Sequence, residues 1–240
     1  AFYLIFLVAL FKVKLVNPDR RAEAGRSMVT HLTEGFRYAA RHPAIKFLFL
    51  HMIFATVLLR AYMELLPGLS ETVFGYDPKK GVAILVSAAG LGAIVASLSI
   101  GNLTRMTTLL KAYFICVGGS LLSLTLFVST TNFWFAVGFA VMLSTSQVGV
   151  NVAGQVIVQS TVEGALRGRV MSLWGLLNRS GPAVGAVMIG AISGYMGFQW
   201  PMLAGVAISA CVAAYVFRQR RDMRRVLTDH EAAQSRPDIG

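Results

Sequence analysis

The sequence predicts an all-α polytopic membrane protein, a bundle of six transmembrane helices, and three observations carry that prediction. The 240-residue chain is 55% hydrophobic and only 14% charged, too little charge to cover a soluble domain of this length. Several apolar runs reach about 20 residues, the length a helix needs to cross a hydrocarbon core of about 30 Å. The basic residues, finally, fall in alternate loops. The connector 12–46, the turns 104–111 and 158–169 and the tail after 217 hold nearly all the Lys and Arg. The turns 129–132 and 193–200 hold none, and 67–80 holds only Lys79 and Lys80. Six spans place every basic loop on one side. That side is expected to be cytoplasmic, with the C-terminus on it, in the cytoplasmic (inner) membrane. The net charge of +11 then follows from topology and calls for no nucleic-acid partner.

Taken in order, residues 1–13 read as the end of a preceding transmembrane helix: the chain opens in mid-apolar run and Asn17-Pro18-Asp19 breaks it. Residues 14–43 form a cytoplasmic connector. Within it Ser27–Arg41 sets Met28, Leu32, Phe36 and Ala39 against Arg37 and Arg41, the pattern of an interfacial helix; a solvated linker is the alternative. The bundle occupies 44–217. Its spans are expected at Ile45–Leu66 (ended by Pro67-Gly68), Gly81–Leu103, Leu109–Val128, Phe133–Ile157, Val170–Ile192 and Trp200–Phe217. Short turns make neighbouring helices antiparallel. The second span has small residues at four-residue spacing, Ala88, Gly92 and Ala96, which lets helix backbones approach closely. Residues 218–240 read as a cytoplasmic tail: a basic run, Arg218–Arg225, with affinity for anionic membrane lipid, then a disordered polar stretch from Thr228. Cys116 and Cys211 lie in apolar runs without a CxxC neighbour and read as core residues.

Polar groups inside these spans mark the candidate site. Ser144, Gln147, Asn151, Gln155 and Gln159 fall on about one third of a helix circumference. Gln147, Asn151 and Gln155 fit a cavity wall that hydrogen-bonds a substrate; interhelical amide pairing is the competing reading. Arg179, beside Asn178, lies ten residues after Arg169, about 15 Å along a helix. An arginine near mid-membrane either lines a water-filled path or pairs with a buried carboxylate. Arg60 and Glu64, four apart, are expected to pair on one face at the outer mouth, with Glu64 a candidate for carrying a coupling proton. His51 is a deeper candidate, as a relay or as a hydrogen-bonded core histidine. Glu163, Arg167, Gly168 and Arg169 form a charged turn that fixes topology or gates access. Gly181, Pro182 and Gly185 suggest a hinge or a static kink. No phosphate-binding loop, catalytic carboxylate pair or metal-ligand cluster stands out, so neither an enzyme nor a cofactor is expected.

The motifs also carry a resemblance. Gly35-Phe36-Arg37-Tyr38 with Arg41-His42-Pro43 ahead of a span, Leu66-Pro67, Gly81 through Gly90 and Gly92, Arg167-Gly168-Arg169-Val170-Met171-Ser172, and Gly181-Pro182 with Gly185 resemble the C-terminal half of a major facilitator superfamily exporter. More narrowly the chain is similar to the enterobactin-exporter and macrolide-efflux-like branch, the transmembrane secretion effectors. The resemblance implies an N-terminal six-helix partner half, a small-molecule substrate exported by alternating access, and proton antiport. It implies that Gly181-Pro182-x-x-Gly185 is the second-half counterpart of the antiporter motif. The superfamily's loop signature would fall at Gly101–Arg105, where its aspartate, and with it the usual latch, is absent. Three other readings are a non-transporting scaffold subunit, a membrane enzyme such as an acyl or lipid-head-group transferase, for which no clustered nucleophile or metal ligands are visible, and the membrane domain of an ATP-driven exporter. The turns 104–111 and 158–169 are too short for the cytoplasmic extensions the last needs.

Overall fold

Local chemistry sets where each helix starts. The computed structural model describes residues 28–103, 105–162 and 164–234. The expected helix end at 1–13, the first part of the connector and Glu163 lie outside them. The connector pattern forms helix α1 (Met28–Arg41). The His42 ring follows it, and its Nδ1 accepts the amides of Ala44 and Ile45, both at 3.3 Å. Two of the orphan donors that open the next helix, α2 (Ile45–Phe54), are thereby satisfied.

The first span departs from expectation. α2 runs into a single π turn, Ala55–Leu59, and the rod resumes as α3 (Tyr62–Thr72). The Arg60 amide bonds the Ala55 carbonyl at 3.0 Å, five residues back, and the Met63 and Glu64 amides bond carbonyls only three residues back. The discontinuity is therefore at Arg60-Ala61, and the helix passes through Pro67 to Thr72. Pro67 sits in the second turn of a restarted helix, where it removes only the bond to the Met63 carbonyl.

The remaining rods begin at recognisable caps. Asp77 accepts the Lys80 amide at 2.8 Å and Pro78 occupies the first position of α4 (Pro78–Ile100). α5 covers Met106–Ser129. Asn132 Oδ1 accepts the amides of Trp134 and Phe135, at 3.0 and 3.3 Å, to open α6 (Phe133–Thr161). α7 is a 33-residue helix, Gly164–Met196, closed by Gly197 at φ 78°, a left-handed conformation suited to glycine. α8 spans Gln199–Arg218.

The tail is a correction. From Thr228 the sequence suggests disorder, yet helix α9 runs from Arg220 to Gln234. Met223 and Leu227, four residues apart, are buried against the bundle, and that short apolar stripe is masked by the basic composition around it.

The described residues contain no strand, and the fold is that of an all-α polytopic membrane protein. Among the described residues five rods are long and apolar enough to cross a bilayer: Ile45–Thr72, Pro78–Ile100, Met106–Ser129, Phe133–Thr161 and Gln199–Arg218. The sixth expected span, α7, has ample length but carries Arg167, Arg169 and Arg179 among many Gly and Ser, so it is the least apolar of the set.

Two apolar clusters organise the bundle. One gathers Ile45, Phe49, Ile100, Leu109, Tyr113, Ile157, Trp174 and Val216. The other gathers Tyr62, Leu66, Leu85, Phe127, Phe133, Leu143, Ile189 and Met202. Each cluster takes the start of one rod and the end of the next, so successive rods are antiparallel. The basic segments around Arg41, Arg105, Arg169 and Arg218 all fall at the first cluster's end. The small-residue row on α4 does what its spacing suggests: a Cβ on Gly92 would lie 2.3 Å from the Val141 carbonyl oxygen. At that approach Ser144 Oγ donates to the Ala89 carbonyl at 2.6 Å and Thr145 Oγ1 to the Gly92 carbonyl at 3.1 Å.

Candidate substrate and coupling site

Between the two apolar clusters the bundle holds a cavity of about 30 Å³, room for about one or two waters. Its wall includes His51, Arg60, Gln147, Asn151, Trp174 and Asn178, with Tyr113, Thr56 and Ser120. Arg60, Gln147 and Asn178 lie near the middle of their rods, and His51 and Tyr113 nearer the start of theirs. Five of the wall residues are ones the sequence singles out, and the fold brings them together.

The π turn makes that gathering possible. His51 and Arg60 are nine residues apart, which in an unbroken α-helix sets them about 180° apart. A π turn accommodates one extra residue without advancing the helix phase. The separation falls to about 80°, and both side chains reach the same cavity.

The π turn in turn needs partners. Gln147 Nε2 donates to the Leu59 carbonyl at 3.1 Å, supplying a bond the distorted ladder lacks. Gly181 and Gly185 provide its seat. A Cβ at Gly181 would fall 2.4 Å from Thr56 Oγ1, and one at Gly185 would fall 1.7 Å from the Val57 carbonyl oxygen. The Gly-Pro-x-x-Gly face of α7 is therefore a close-packing surface, and Pro182 is buried within a continuous helix. Proline leaves the Asn178 main-chain carbonyl without its usual helical donor. The Asn178 side chain bridges the two helices: Arg60 Nη1 donates to Oδ1 at 2.7 Å, and Nδ2 donates to the Trp174 carbonyl at 3.2 Å. A hydrogen bond to a charged group of this kind contributes about 1.5–3 kcal/mol.

His51 is buried, with Nδ1 2.7 Å from the Tyr113 hydroxyl. Its Nε2 and the Trp174 Nε1 have no hydrogen-bond partner among the described residues. Both rings line the cavity. Buried ring nitrogens without a partner are uncommon in folded interiors, and these two belong to residues of one cavity wall.

Other sequence candidates lie elsewhere. Arg60 bonds Asn178, and no ion pair joins it to Glu64 among the described residues; the break at Arg60-Ala61 destroys the i,i+4 geometry the expected pair requires. Glu64 is exposed. Gln155 is half-buried and does not line the cavity. Arg179 projects from the exposed face of α7 with Ser172, Leu176 and Val187. A guanidinium at the middle of a membrane-length rod needs water or a partner on that face.

At the basic end, Arg167 Nη2 donates to the Val162 carbonyl at 3.4 Å. Arg169 pairs with Glu34 of α1. A Cβ on Gly35 would lie 2.9 Å from the Arg169 carbonyl oxygen, so α1 packs directly on the start of α7. Gly168 is exposed with open space around it. The charged turn is thus tied to the connector. Sequence reasoning missed Glu34, the only acid in α1, and it missed Tyr113, whose hydroxyl in an apolar run was the available signal.

Antiparallel apolar rods of membrane-crossing length, packed around polar side chains in their interior, define a polytopic membrane protein. The description of the Major Facilitator Superfamily matches residues 82–237, and the chain belongs to that superfamily. No curated protein matches it.

Proposed function

We propose that this bundle is the C-terminal half of a proton-coupled exporter of small molecules, of the enterobactin-exporter and macrolide-efflux-like branch. It sits in the cytoplasmic membrane with its basic end and C-terminus in the cytoplasm. The observation that supports this reading is the gathering of Arg60, Gln147, Asn151 and Asn178 around one interior cavity, whose wall residues His51 and Trp174 each carry a buried, unpartnered ring nitrogen. A non-transporting scaffold has no use for such a space. Alternating access requires a second six-helix half that covers the exposed face of α7, and Arg179 then lines the path between the halves for a polar or anionic substrate. Of the coupling candidates, burial in the cavity favours His51 over the exposed Glu64. The Arg169–Glu34 pair and its connector hold the cytoplasmic gate. The protein acts as a carrier and performs no chemistry on its cargo.

The test is efflux from vesicles containing the full-length protein under an imposed pH gradient, with catecholate siderophores and macrolides as the panel. His51→Gln is expected to lose gradient-driven efflux but keep substrate exchange at equal pH. Arg179→Ala is expected to lose both, and Glu64→Gln neither. Gradient-driven efflux retained in His51→Gln moves coupling elsewhere. No gradient-dependent flux of any substrate from folded wild type sinks the exporter reading.

A further inference from the structure

A second cavity lies at the periphery of the bundle, one aromatic layer from the first: its Phe114 meets Tyr113 edge-on with ring centroids 5.5 Å apart. It occupies about 540 Å³ between the start of α5 and the junction of α8 with α9, within the range of about 300–1,000 Å³ usual for ligand sites. Four cations rim it: Lys111, Arg220, Arg221 and Arg224. No carboxylate lines it. Among the described residues Lys111, Arg221 and Arg224 have no ion-pair or hydrogen-bond partner for their side chains. Arg220 stacks over the Phe217 ring at 3.9 Å.

The floor is of opposite character. Phe114 meets Phe217 edge-on with ring centroids 5.2 Å apart, and Ile115 beside them is 74% exposed. These residues belong to the membrane-crossing rods, whereas the arginines of α9 begin just past the end of α8 at Arg218. The cationic rim therefore stands at the membrane border and the apolar floor runs inward from it. The rim is held in place because Met223 and Leu227 anchor α9 to the bundle.

We propose that this groove binds an anionic phospholipid, its phosphate held by Lys111 and the α9 arginines and an acyl chain lying along Phe114, Ile115 and Phe217. Charge complementarity selects an anion, and the exposed apolar floor beneath selects one with a tail. Its ligand is selected by the rim and the floor, whatever the protein exports.

Native mass spectrometry of the full-length protein tests it, by counting lipid molecules retained from mixed micelles. The probes are dioleoylphosphatidylglycerol, dioleoylphosphatidylcholine and the tail-less glycerophosphoglycerol. Wild type is expected to retain phosphatidylglycerol preferentially, unaffected by glycerophosphoglycerol. Lys111→Gln/Arg224→Gln is expected to lower that retention roughly 30-fold, from about a fivefold effect per interfacial cation. Arg218→Gln/Arg225→Gln, which removes the same charge outside the groove, is expected to retain it. Both double variants are checked for a monodisperse, cooperatively unfolding species. Equal loss in the two would replace the groove with diffuse surface attraction. Equal retention of the two lipids by wild type, or displacement by glycerophosphoglycerol, would overturn the proposal as well.

Discussion

Replacing Gly185 by Ala should show how tightly the π turn and α7 are matched. The added methyl would lie 1.7 Å from the Val57 carbonyl oxygen and 2.9 Å from Ala61 Cβ. Ordinary contact needs about 3.4 Å or more, so the two backbones must part by about 1.7 Å, more than a rotamer change can supply. The obstacle is main chain, held by the Arg60–Ala55 bond behind it and by Gln147 on the Leu59 carbonyl. Overpacking against such a wall falls at the upper end of its usual range, about 3 kcal/mol. Alanine recovers about 1 kcal/mol of helix propensity over glycine. The net loss is about 2 kcal/mol, which for a chain of this size lowers Tm by about 4–8 °C. Tryptophan fluorescence during thermal unfolding in detergent measures it. Gly90→Ala is the control: nothing lies within 4 Å of a Cβ there, so only the propensity gain should register. If Gly185→Ala melts with wild type or with Gly90→Ala, the close seating of these helices is wrong.

Gln147→Leu leaves the Leu59 carbonyl unpaired in the interior and should cost about 1–3 kcal/mol, read as an earlier thermal transition without loss of membrane insertion. Asp77→Ala removes the cap on α4 and should cost about 1 kcal/mol while leaving substrate exchange unchanged. A functional defect there would mean the 72–78 turn takes part in transport.

The fold class, the antiparallel order and the gathering of the basic loops at one end were legible because each rests on composition and length. His51, Arg60, Gln147, Asn151 and Asn178 were also legible as polar residues within apolar runs. Their partners were not. The Arg60–Glu64 pair assumed an unbroken helix, and a π turn leaves no mark in local composition: Ala55-Thr56-Val57-Leu58-Leu59 reads as ordinary span. The role of Gly181 and Gly185 as a packing seat is set by what stands opposite, and sequence alone offered only a hinge or a static kink. The docking of α9 depended on Met223 and Leu227 amid basic residues, a stripe too sparse to outweigh its surroundings. Asn178 and Arg179 are adjacent in sequence, yet the helix turns one into the interior and the other outward.

The π turn has a consequence for how such a rod can change. In a regular helix the face shown to the interior is decided by which side chains are polar. In Ile45–Thr72 it is decided by chain length as well, because the segment before the turn and the segment after it keep separate rotational frames. Adding or deleting one residue between Ala55 and Leu59 would swing His51 by about 100° relative to Arg60 with every side chain unaltered. A straightened helix would regain its full ladder of backbone bonds and dismantle the cavity wall, so here a regular helix and this cavity are alternatives.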